Sequence, residues 1–371
     1  MSTNTSHGYL IIADISGYTS YLSNVELEHS QGILSDLMEV IVERFRQVFS
    51  ISKLEGDAVF ANLDDLAMPG GEALLELIED TCLAFRRRRD TSQRLTTCTC
   101  RACQLIPSLD LKFFVHHGEY MLQDISGNHE LVGSDGNLIH RLTRNHIAEN
   151  TGWHAYTLFT KTAFELMHLK LVGLHEQTEP YEYLGDVATL SMDVHPRYEE
   201  MLATRRFVIT PEQADYKLEF DFDAPAPIVW EWLTNVDRRS QASGGHQHWS
   251  AGQRPKGRSG VGAQNHCAHG KETTDETVLD WLPFESFTRQ IVSGRIEFQE
   301  MFLFTRLDNG QLTHVEVRMM FYKPKPLWLS RIIIKILFAK VNPYLPWFKD
   351  VRKIMNSAGN KPPQKVEIIP V

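Results

Sequence analysis

Apolar and polar residues follow two different spacings in the first half of the chain. Short apolar runs such as Tyr9 to Ala13 predict buried strands, and longer stretches with apolar residues at helical spacing predict helices. The predicted order is a strand over 8–14, a helix over 29–49, a hairpin around 51–62, a helix over 72–89, a strand over 110–121 and a helix over 135–149. This alternation predicts an α+β domain with a mixed sheet and packed helices.

The pattern changes near Val194, and residues 196–213 are predicted to be a linker. Beyond it, alternating residues and turn signals predict an antiparallel sheet followed by a long C-terminal helix, within 214–357. The predicted strands of this second half are 216–222, 273–281, 285–293, 295–305 and 312–321. In the first half, a turn at Gly185-Asp186 is predicted between the short segments 181–184 and 187–192. Residues 358–371 are predicted to form a loosely ordered tail.

Three short motifs carry the candidate chemistry. Asp14 is predicted at the end of a buried strand, and Asp57 follows Gly56 in a turn before the apolar run 58–61. Two carboxylates at neighbouring strand ends suit two hard cations and the phosphate oxygens that such cations bind. The third motif, Gly133 to Arg141, contains Asn137 and Arg141. Their four-residue spacing places both side chains on one face of a helix.

Taken together, the motifs resemble those of the class III adenylyl and guanylyl cyclases. The matching patterns are Asp-Ile-x-Gly-Tyr-Thr at 14–19, Lys-x-x-Gly-Asp at 53–57 and Gly-x-x-x-Asn-x-x-x-Arg at 133–141. The resemblance covers about 7–195 and implies a ferredoxin-like cyclase domain over 1–195, with an insertion at about 90–108. Separately, residues 1–7 are polar and show no signal-peptide pattern, so cytoplasmic localisation is expected.

The resemblance assigns a role to each matching residue. Asp14 and Asp57 would hold two Mg²⁺ or Mn²⁺ ions per site. The residues Ser16, Gly17 and Tyr18 would cradle phosphate oxygens, as amides at the start of a helix can. Asn137 would orient the ribose and Arg141 would stabilise charge on the phosphate in the transition state.

Base selection rests on two further residues. Lys53 matches the lysine with which adenylyl cyclases read adenine, and Glu130 stands where the family has Asp or Thr to accept from the exocyclic amino group. Gly136 replaces an apolar residue and is predicted to loosen the start of the helix. The implied substrate is therefore ATP, although Glu130 is a departure from the pattern.

In the family, two domains pair head to tail and share their active sites. Asp14, Asp57 and Lys53 would then come from one chain and Asn137 with Arg141 from the other, so a homodimer is expected. The resulting function is an adenylyl cyclase that makes cyclic AMP and pyrophosphate, with a C-terminal sensor of a hydrophobic ligand. The alternatives are a catalytically inactive cyclase fold that dimerises a ligand-binding domain, or a cyclase that uses another base.

Composition narrows the partners. The formal net charge of −9 and the lack of a basic stripe argue against nucleic-acid binding. The run Arg86 to Arg89 is predicted to be the cationic last turn of a helix. The segment 327–348 is predicted to be an amphipathic helix that packs on the core rather than lying on a membrane surface.

Five cysteines in an apparently cytosolic chain do not suggest a disulfide framework. Three of them, Cys98, Cys100 and Cys103, are dense enough to bind one structural Zn²⁺ if a fourth ligand joins them, and Cys82 is the candidate nearest in sequence. The alternative is a set of reduced surface thiols.

The second half resembles the helix-grip fold of START-like and polyketide-cyclase-like proteins in its order of elements. Its marks are an Ala-Pro-x-x-x-Val-Trp entry at 224–230 and the turn Leu282-Pro283-Phe284-Glu285. The resemblance implies an apolar cavity for a hydrophobic small ligand. Histidines at 246, 248, 266 and 269 have metal-ligand spacing, but they are interpreted as loop or cavity-rim residues.

Overall fold

The computed structural model describes residues 5–25, 27–65, 70–95, 98, 100–125, 128–203, 206–243, 247–269, 272–294, 296–323 and 344–357. The chain divides into two compact units, Met1–Ala203 and Thr204–Val371. Each unit has a sheet and a hydrophobic core of its own.

The first unit is a mixed sheet with helices packed on it, as predicted. Its elements are β1 (Thr5–Ser16), α1 (Tyr18–Leu22), α2 (Leu27–Phe45), β2 (Ser50–Glu55), β3 (Ala58–Asp64), α3 (Gly71–Leu95), α4 (Arg101–Leu105), β4 (Asp110–Ile125), β5 (Asn128–Val132), α5 (Ser134–Leu142), α6 (Ile147–Thr151), β6 (Tyr156–Thr160), α7 (Lys161–Leu166), β7 (His175–Tyr181), β8 (Gly185–Asp193) and α8 (His195–Ala203). The strand order is β2-β3-β1-β4-β6-β8-β7, and β5 pairs with β4. The β4–β6 pair is parallel, whereas β1 is antiparallel to both β3 and β4.

The central strand β1 is buried on both faces, which explains its continuous apolar run. On one face Leu10 and Ile12 pack with Ile139 and Leu142 of α5. Alternate residues of a strand point to opposite faces, so Asp14 shares the face of Leu10 and Ile12. The candidate metal carboxylate therefore lies on the side of the sheet that α5 covers.

The helix α3 is longer than predicted, and its arginines lie inside it rather than in its last turn. Arg86 is completely buried, and its guanidinium donates to both carboxylate oxygens of Asp110 at 3.0 and 2.7 Å. The helix dipole therefore does not explain this run. A bidentate ion pair satisfies the buried charge of Arg86.

Residues 195–203 form α8, although an extended linker was expected from 196. The helix packs on the first unit through polar contacts: the Tyr198 hydroxyl donates to Asp90 at 3.1 Å, and Arg197 Nε lies 3.4 Å from Glu79 Oε2. These contacts fix a segment that has only weak apolar periodicity.

The second unit is an antiparallel sheet with a C-terminal helix, also as predicted. Its elements are β9 (Tyr216–Phe222), α9 (Ala226–Thr234), α10 (Val236–Ala242), β10 (His248–Ala251), β11 (Gln264–His269), β12 (Glu272–Leu282), β13 (Ser286–Ser293), β14 (Ile296–Leu307), β15 (Leu312–Lys323) and α11 (Tyr344–Ser357). The strand order is β10-β11-β12-β13-β14-β15-β9. Most of the helix predicted over 327–348 lies outside the described residues. The described part, α11, stacks Phe348 on Phe220 with ring centroids 3.9 Å apart.

The interior of the second unit combines aromatic rings with buried charges. Trp230 is fully buried against Trp281, 4.8 Å away between ring centroids, and against several phenylalanines. Nearby, Arg239 donates to both oxygens of Glu276 at 2.7 and 2.6 Å, and Arg289 pairs with Glu276 and Glu300. The sequence led us to expect an apolar cavity in this unit, and the structure places paired buried charges in its interior.

The described residues around Asn265, Val278 and Arg289 line a cavity of about 10 Å³, which has room for one water molecule. A larger apolar cavity in this unit stays a prediction. Within the described residues, no helix is long and apolar enough to cross a membrane.

Candidate active site

Asp14 and Asp57 lie side by side at one end of the central sheet. Asp14 is opposite Ala58 in the β1–β3 ladder, and Asp57 immediately precedes Ala58. The Ile15 amide donates to the Asp57 carbonyl at 2.9 Å, which ties the two segments together. Gly56 has φ of +64° in the turn before Asp57, a backbone conformation that glycine adopts at little cost.

Both carboxylates are less acidic than an ordinary aspartate. Burial, and then the neighbouring Asp57, raise the pKa of Asp14 from an ordinary 3.8 to about 6, and Lys112 partly offsets them. Burial also raises the pKa of Asp57. A nearby positive charge would stabilise these partly desolvated carboxylates. Their oxygen atoms suit hard divalent cations such as Mg²⁺ and Mn²⁺.

Lys112 is a charged neighbour of this site that the sequence analysis missed. It lies on β4 directly opposite Asp14, and its ammonium lies 5.5 Å from the centre of the Tyr156 ring. The signal in the sequence is a lysine inside the otherwise apolar run 111–115 of that strand. Its register with Asp14 depends on strand pairing, which sequence spacing does not reveal.

The turn after β1 needs glycine at position 17. Gly17 has φ of +85°, and a Cβ there would lie 2.7 Å from the carbonyl oxygen of Ser108. Ser16 ends β1, and Tyr18 begins α1. The three residues proposed to cradle phosphate thus lie in the turn that follows Asp14.

Lys53, which is predicted to read the base, lies on β2 and is exposed. Lys53 Nζ is 3.3 Å from Glu55 Oε1, and Glu55 Oε2 is 3.5 Å from His140 Nδ1 on α5. Glu55 thus links the strand of Lys53 to the helix of Asn137. Glu130 lies in β5 opposite Gln123, and its side chain is outside the described residues.

The helix α5 presents one buried face and one exposed face. Ile139 and Leu142 are buried in the core, whereas Asn137 and Arg141 are exposed, as their four-residue spacing predicts. Among the described residues, neither of these two side chains has a hydrogen bond or ion pair with Asp14 or Asp57 of the same chain.

Gly136 is buried, and a Cβ there would lie 2.9 Å from Cδ2 of Leu131. The prediction that this glycine loosens the start of α5 is therefore incomplete. Its missing side chain also allows the helix to approach β5 closely.

A buried histidine holds the first turn of α5, and the sequence analysis missed it. His116 Nε2 is 3.2 Å from Asp135 Oδ1, and His116 Nδ1 is 3.0 Å from the Thr160 hydroxyl. Asp135 Oδ2 accepts from the Glu119 amide at 2.8 Å. Burial lowers the pKa of His116, with Asp135 opposing that effect. This network connects β4 and β6 to the helix that carries Asn137.

The sulfur atoms of Cys98, Cys100 and Cys103 lie within 4.8 Å of one another. Cys82 is elsewhere: it is buried on α3 and lines a small cavity with Tyr198 of α8. Burial raises the pKa of the Cys82 thiol to about 12. The prediction that Cys82 supplies the fourth ligand is not supported by this placement.

The histidines of the second unit are not arranged as predicted. His266 lies in β11 rather than in a loop, and its Nδ1 is 2.7 Å from Asp275 Oδ1 across the sheet. His248 lies in β10. His246 and the side chain of His269 lie outside the described residues.

Known proteins resemble parts of this chain. A family described as a protein of unknown function, DUF2652, matches residues 34–151, a range that includes Asp57, Asn137 and Arg141. The uncharacterized protein Rv2561/Rv2562 of Mycobacterium tuberculosis is 26% identical over 165 residues, which are 43% of this chain and 73% of that protein.

Two solved structures with similar folds are cyclases. A bacterial light-regulated adenylyl cyclase is 10% identical with a TM-score of 0.39, over 52% of this chain and 54% of its own. The chain thus spans about half the length of that protein. The guanylyl cyclase Cya2 is 16% identical with a TM-score of 0.41, over 52% of this chain and 93% of its own.

Proposed function

We propose that the first unit is a class III nucleotide cyclase that converts ATP to cyclic AMP and pyrophosphate in a homodimer. The observation that carries the proposal is the pair Asp14 and Asp57, two partly buried carboxylates at adjacent strands whose pKa values are both raised by burial, that of Asp14 also by Asp57. Two acids sharing a site suit a reaction assisted by two cations.

The chain's other residues supply what such a reaction needs. Two divalent cations held by Asp14 and Asp57 would activate the ribose 3′-hydroxyl and neutralise the triphosphate. Arg141 would donate to an oxygen of the α-phosphate as charge builds there, and Asn137 would hold the ribose. The turn at Gly17 would bring backbone amides to the phosphates.

Base choice is proposed to favour adenine. The ammonium of Lys53 offers only donors, which suits the unprotonated ring nitrogen of adenine and not the protonated one of guanine. Glu130 offers acceptors to the amino group of adenine. Exposure of Lys53 in the single chain is compatible with a site that becomes enclosed on dimerisation.

The dimer is required because one chain supplies only half of each site. Asn137 and Arg141 point away from the core of their own unit. In a head-to-tail pair, they would face the carboxylates of the partner chain. Each dimer would then contain two composite sites.

Mixing two inactive variants tests the shared site. Asp57→Ala and Arg141→Ala chains should each lack cyclase activity, and their mixed dimer should recover activity because one composite site is intact. Asp57→Ala mixed with Asp14→Ala is the control and should stay inactive, since both changes fall on the same half-site. A verified mixed dimer of the first pair without activity would contradict the composite arrangement.

The second unit is proposed to bias the geometry of this dimer. The support is the presence of a separate sheet-and-helix unit on the same chain, which places any signal bound there in the same molecule as the catalytic unit. Its buried Arg239–Glu276 pair indicates that polar groups contribute to its interior.

A further inference from the structure

Three thiols gather in the segment between α3 and β4, outside the nucleotide site. The sulfur atoms of Cys98, Cys100 and Cys103 all lie within 4.8 Å of one another. Cys103 is buried, and Cys98 and Cys100 are half-buried. The chain's five cysteines, which all lie in described ranges, form no disulfide in the structure.

These distances fit a single metal ion. Thiolates at about 2.3 Å from a tetrahedral zinc lie roughly 3.8 Å apart. An iron–sulfur cluster would hold at least one of three cysteines farther from the others, because its cysteines ligate different iron atoms. The soft thiolate set also favours zinc over the hard cations proposed for Asp14 and Asp57.

The local backbone supports a negative charge on sulfur. The Cys100 amide is 3.5 Å from Cys98 Sγ and donates to it. Amide donors to a ligand sulfur stabilise the thiolate form and orient it for the metal. Cys100 also caps α4, so the second and third thiols are held at the start and the middle of one short helix.

We propose that Cys98, Cys100 and Cys103 bind one zinc ion as thiolates. This ion would stabilise the segment 101–108, which packs against the turn at Gly17. Three protein thiolates leave the fourth tetrahedral position to water or to a further ligand. Zinc binding displaces three protons from the thiols and changes no oxidation state.

The segment beside the cysteines supports the residues that follow β1. The Tyr21 hydroxyl of α1 donates to the carbonyl of Ala102 at 3.1 Å, in a buried contact. The backbone of Ser108 leaves no room for a Cβ at Gly17. Loss of the ion should therefore loosen α1 and the turn, and its effect on catalysis rests on the proposed cyclase function.

Metal analysis of the purified full-length protein tests the site without any activity measurement. We expect roughly one zinc per chain. Cys100→Ser should lower the zinc content at least fivefold, whereas the control Cys82→Ala, which removes a buried thiol outside the cluster, should leave it unchanged. Zinc-free protein that takes up none from a zinc-buffered solution would overturn the proposal, and so would full zinc content in Cys100→Ser.

Cobalt substitution keeps the test independent of whether a variant folds. Wild-type protein loaded with Co²⁺ should show intense thiolate-to-cobalt charge-transfer absorption and the visible bands of a tetrahedral site. Weak octahedral bands, or a disulfide between two of the three cysteines found by mass spectrometry of the untreated protein, would overturn it.

Hydrogen exchange separates the site from its consequence. Removing zinc should increase amide exchange in peptides covering 17–22 and leave β14 of the second unit unchanged. Zinc binding with unchanged exchange at 17–22 would retain the site and refute the support of the turn. The exchange measurement does not depend on cyclase activity. The zinc proposal and the cyclase proposal can therefore be refuted separately.

Discussion

Replacing Asp14 by asparagine tests the electrostatic origin of the proposed metal site. Asparagine has nearly the same shape but no charge, so it removes the carboxylate that burial and Asp57 disfavour. The pKa difference between an ordinary 3.8 and about 6 corresponds to a folding penalty on the order of 3 kcal/mol once both states are ionised. Metal-free Asp14→Asn protein should therefore be more stable than wild type at neutral pH.

The sign of the pH dependence follows from the same shift. As pH rises, the unfolded chain releases this proton near 3.8 and the folded chain near 6. Between these values the folded state holds more protons, so its stability falls with rising pH and becomes level above about 6. The asparagine variant should lack this decrease.

The assay is urea unfolding of the protein in EDTA. Unfolding is monitored by hydrogen exchange in peptides that cover β1. Exchange there reports on the first unit, whereas six of the seven tryptophans lie in the second. At about neutral pH we expect a gain of roughly 1–3 kcal/mol, reduced from the full penalty because the new amide is itself partly buried. Mn²⁺ should stabilise wild type and have little effect on the variant.

A surface control separates this effect from a general loss of negative charge. Asp36→Asn removes an exposed ion pair with Arg88 and should change stability by less than about 1 kcal/mol. If Asp14→Asn were less stable than wild type without metal, or were stabilised equally by Mn²⁺, the reasoning about the paired carboxylates would be wrong.

Three further variants, one of them a double substitution, test other parts of the account. Wild-type protein should prefer ATP over GTP by about tenfold to a hundredfold in kcat/KM. The double variant Lys53→Glu, Glu130→Lys should reduce that preference. Equal kcat/KM of the wild type for ATP and GTP would refute the proposed preference for adenine. His116→Ala should lower kcat about tenfold through the start of α5. The neighbouring control His117→Ala, which loses its contacts with Asp65 and with the Tyr9 ring, should have a smaller effect, and equal effects would refute the positioning role. Gly17→Ala should lower the free energy of unfolding by more than the roughly 1–2 kcal/mol expected of Gly152→Ala. Both glycines have positive φ, but only at position 17 would a Cβ contact the carbonyl oxygen of Ser108. Equal decreases in the thermal unfolding temperature would contradict that packing.

The sequence predicted the sheet elements that carry the motifs because their signals are local. Asp14, Asp57 and Asn137 each follow a glycine turn or an apolar run that predicts their placement. By contrast, β6 was missed. Its five buried residues, Tyr156 to Thr160, include two threonines and are too few to distinguish strand from helix by periodicity. Its parallel pairing with β4 is a long-range contact.

Turn chemistry misled the prediction at β7 and β8. The Gly185-Asp186 pair suggested the turn, but the chain turns at 182–184, where Tyr183 adopts φ of +67°. The predicted helix over 135–149 is two helices, because the Asn145 side chain accepts from the Ile147 amide and starts α6. Each difference depends on one side chain or backbone conformation with no periodic signal.

The candidate site was predictable by residue type but not by environment. The pairing of Lys112 with Asp14 and the contact of His116 with Asp135 join segments that are distant in the sequence or depend on register. The clustering of the cysteine thiols agrees with their spacing, whereas Cys82 is held away by the packing of α3 on α8.

Product analysis tests the central claim most directly. Purified protein is incubated with Mn²⁺ and each of ATP, GTP, CTP and UTP, and the products are separated and identified by mass. The account predicts cyclic AMP and pyrophosphate in equal amounts from ATP, and no product from an Asp14→Ala, Asp57→Ala double variant that is folded and dimeric. Absence of any cyclic nucleotide from folded, dimeric wild-type protein, or equal activity of the double variant, would contradict it.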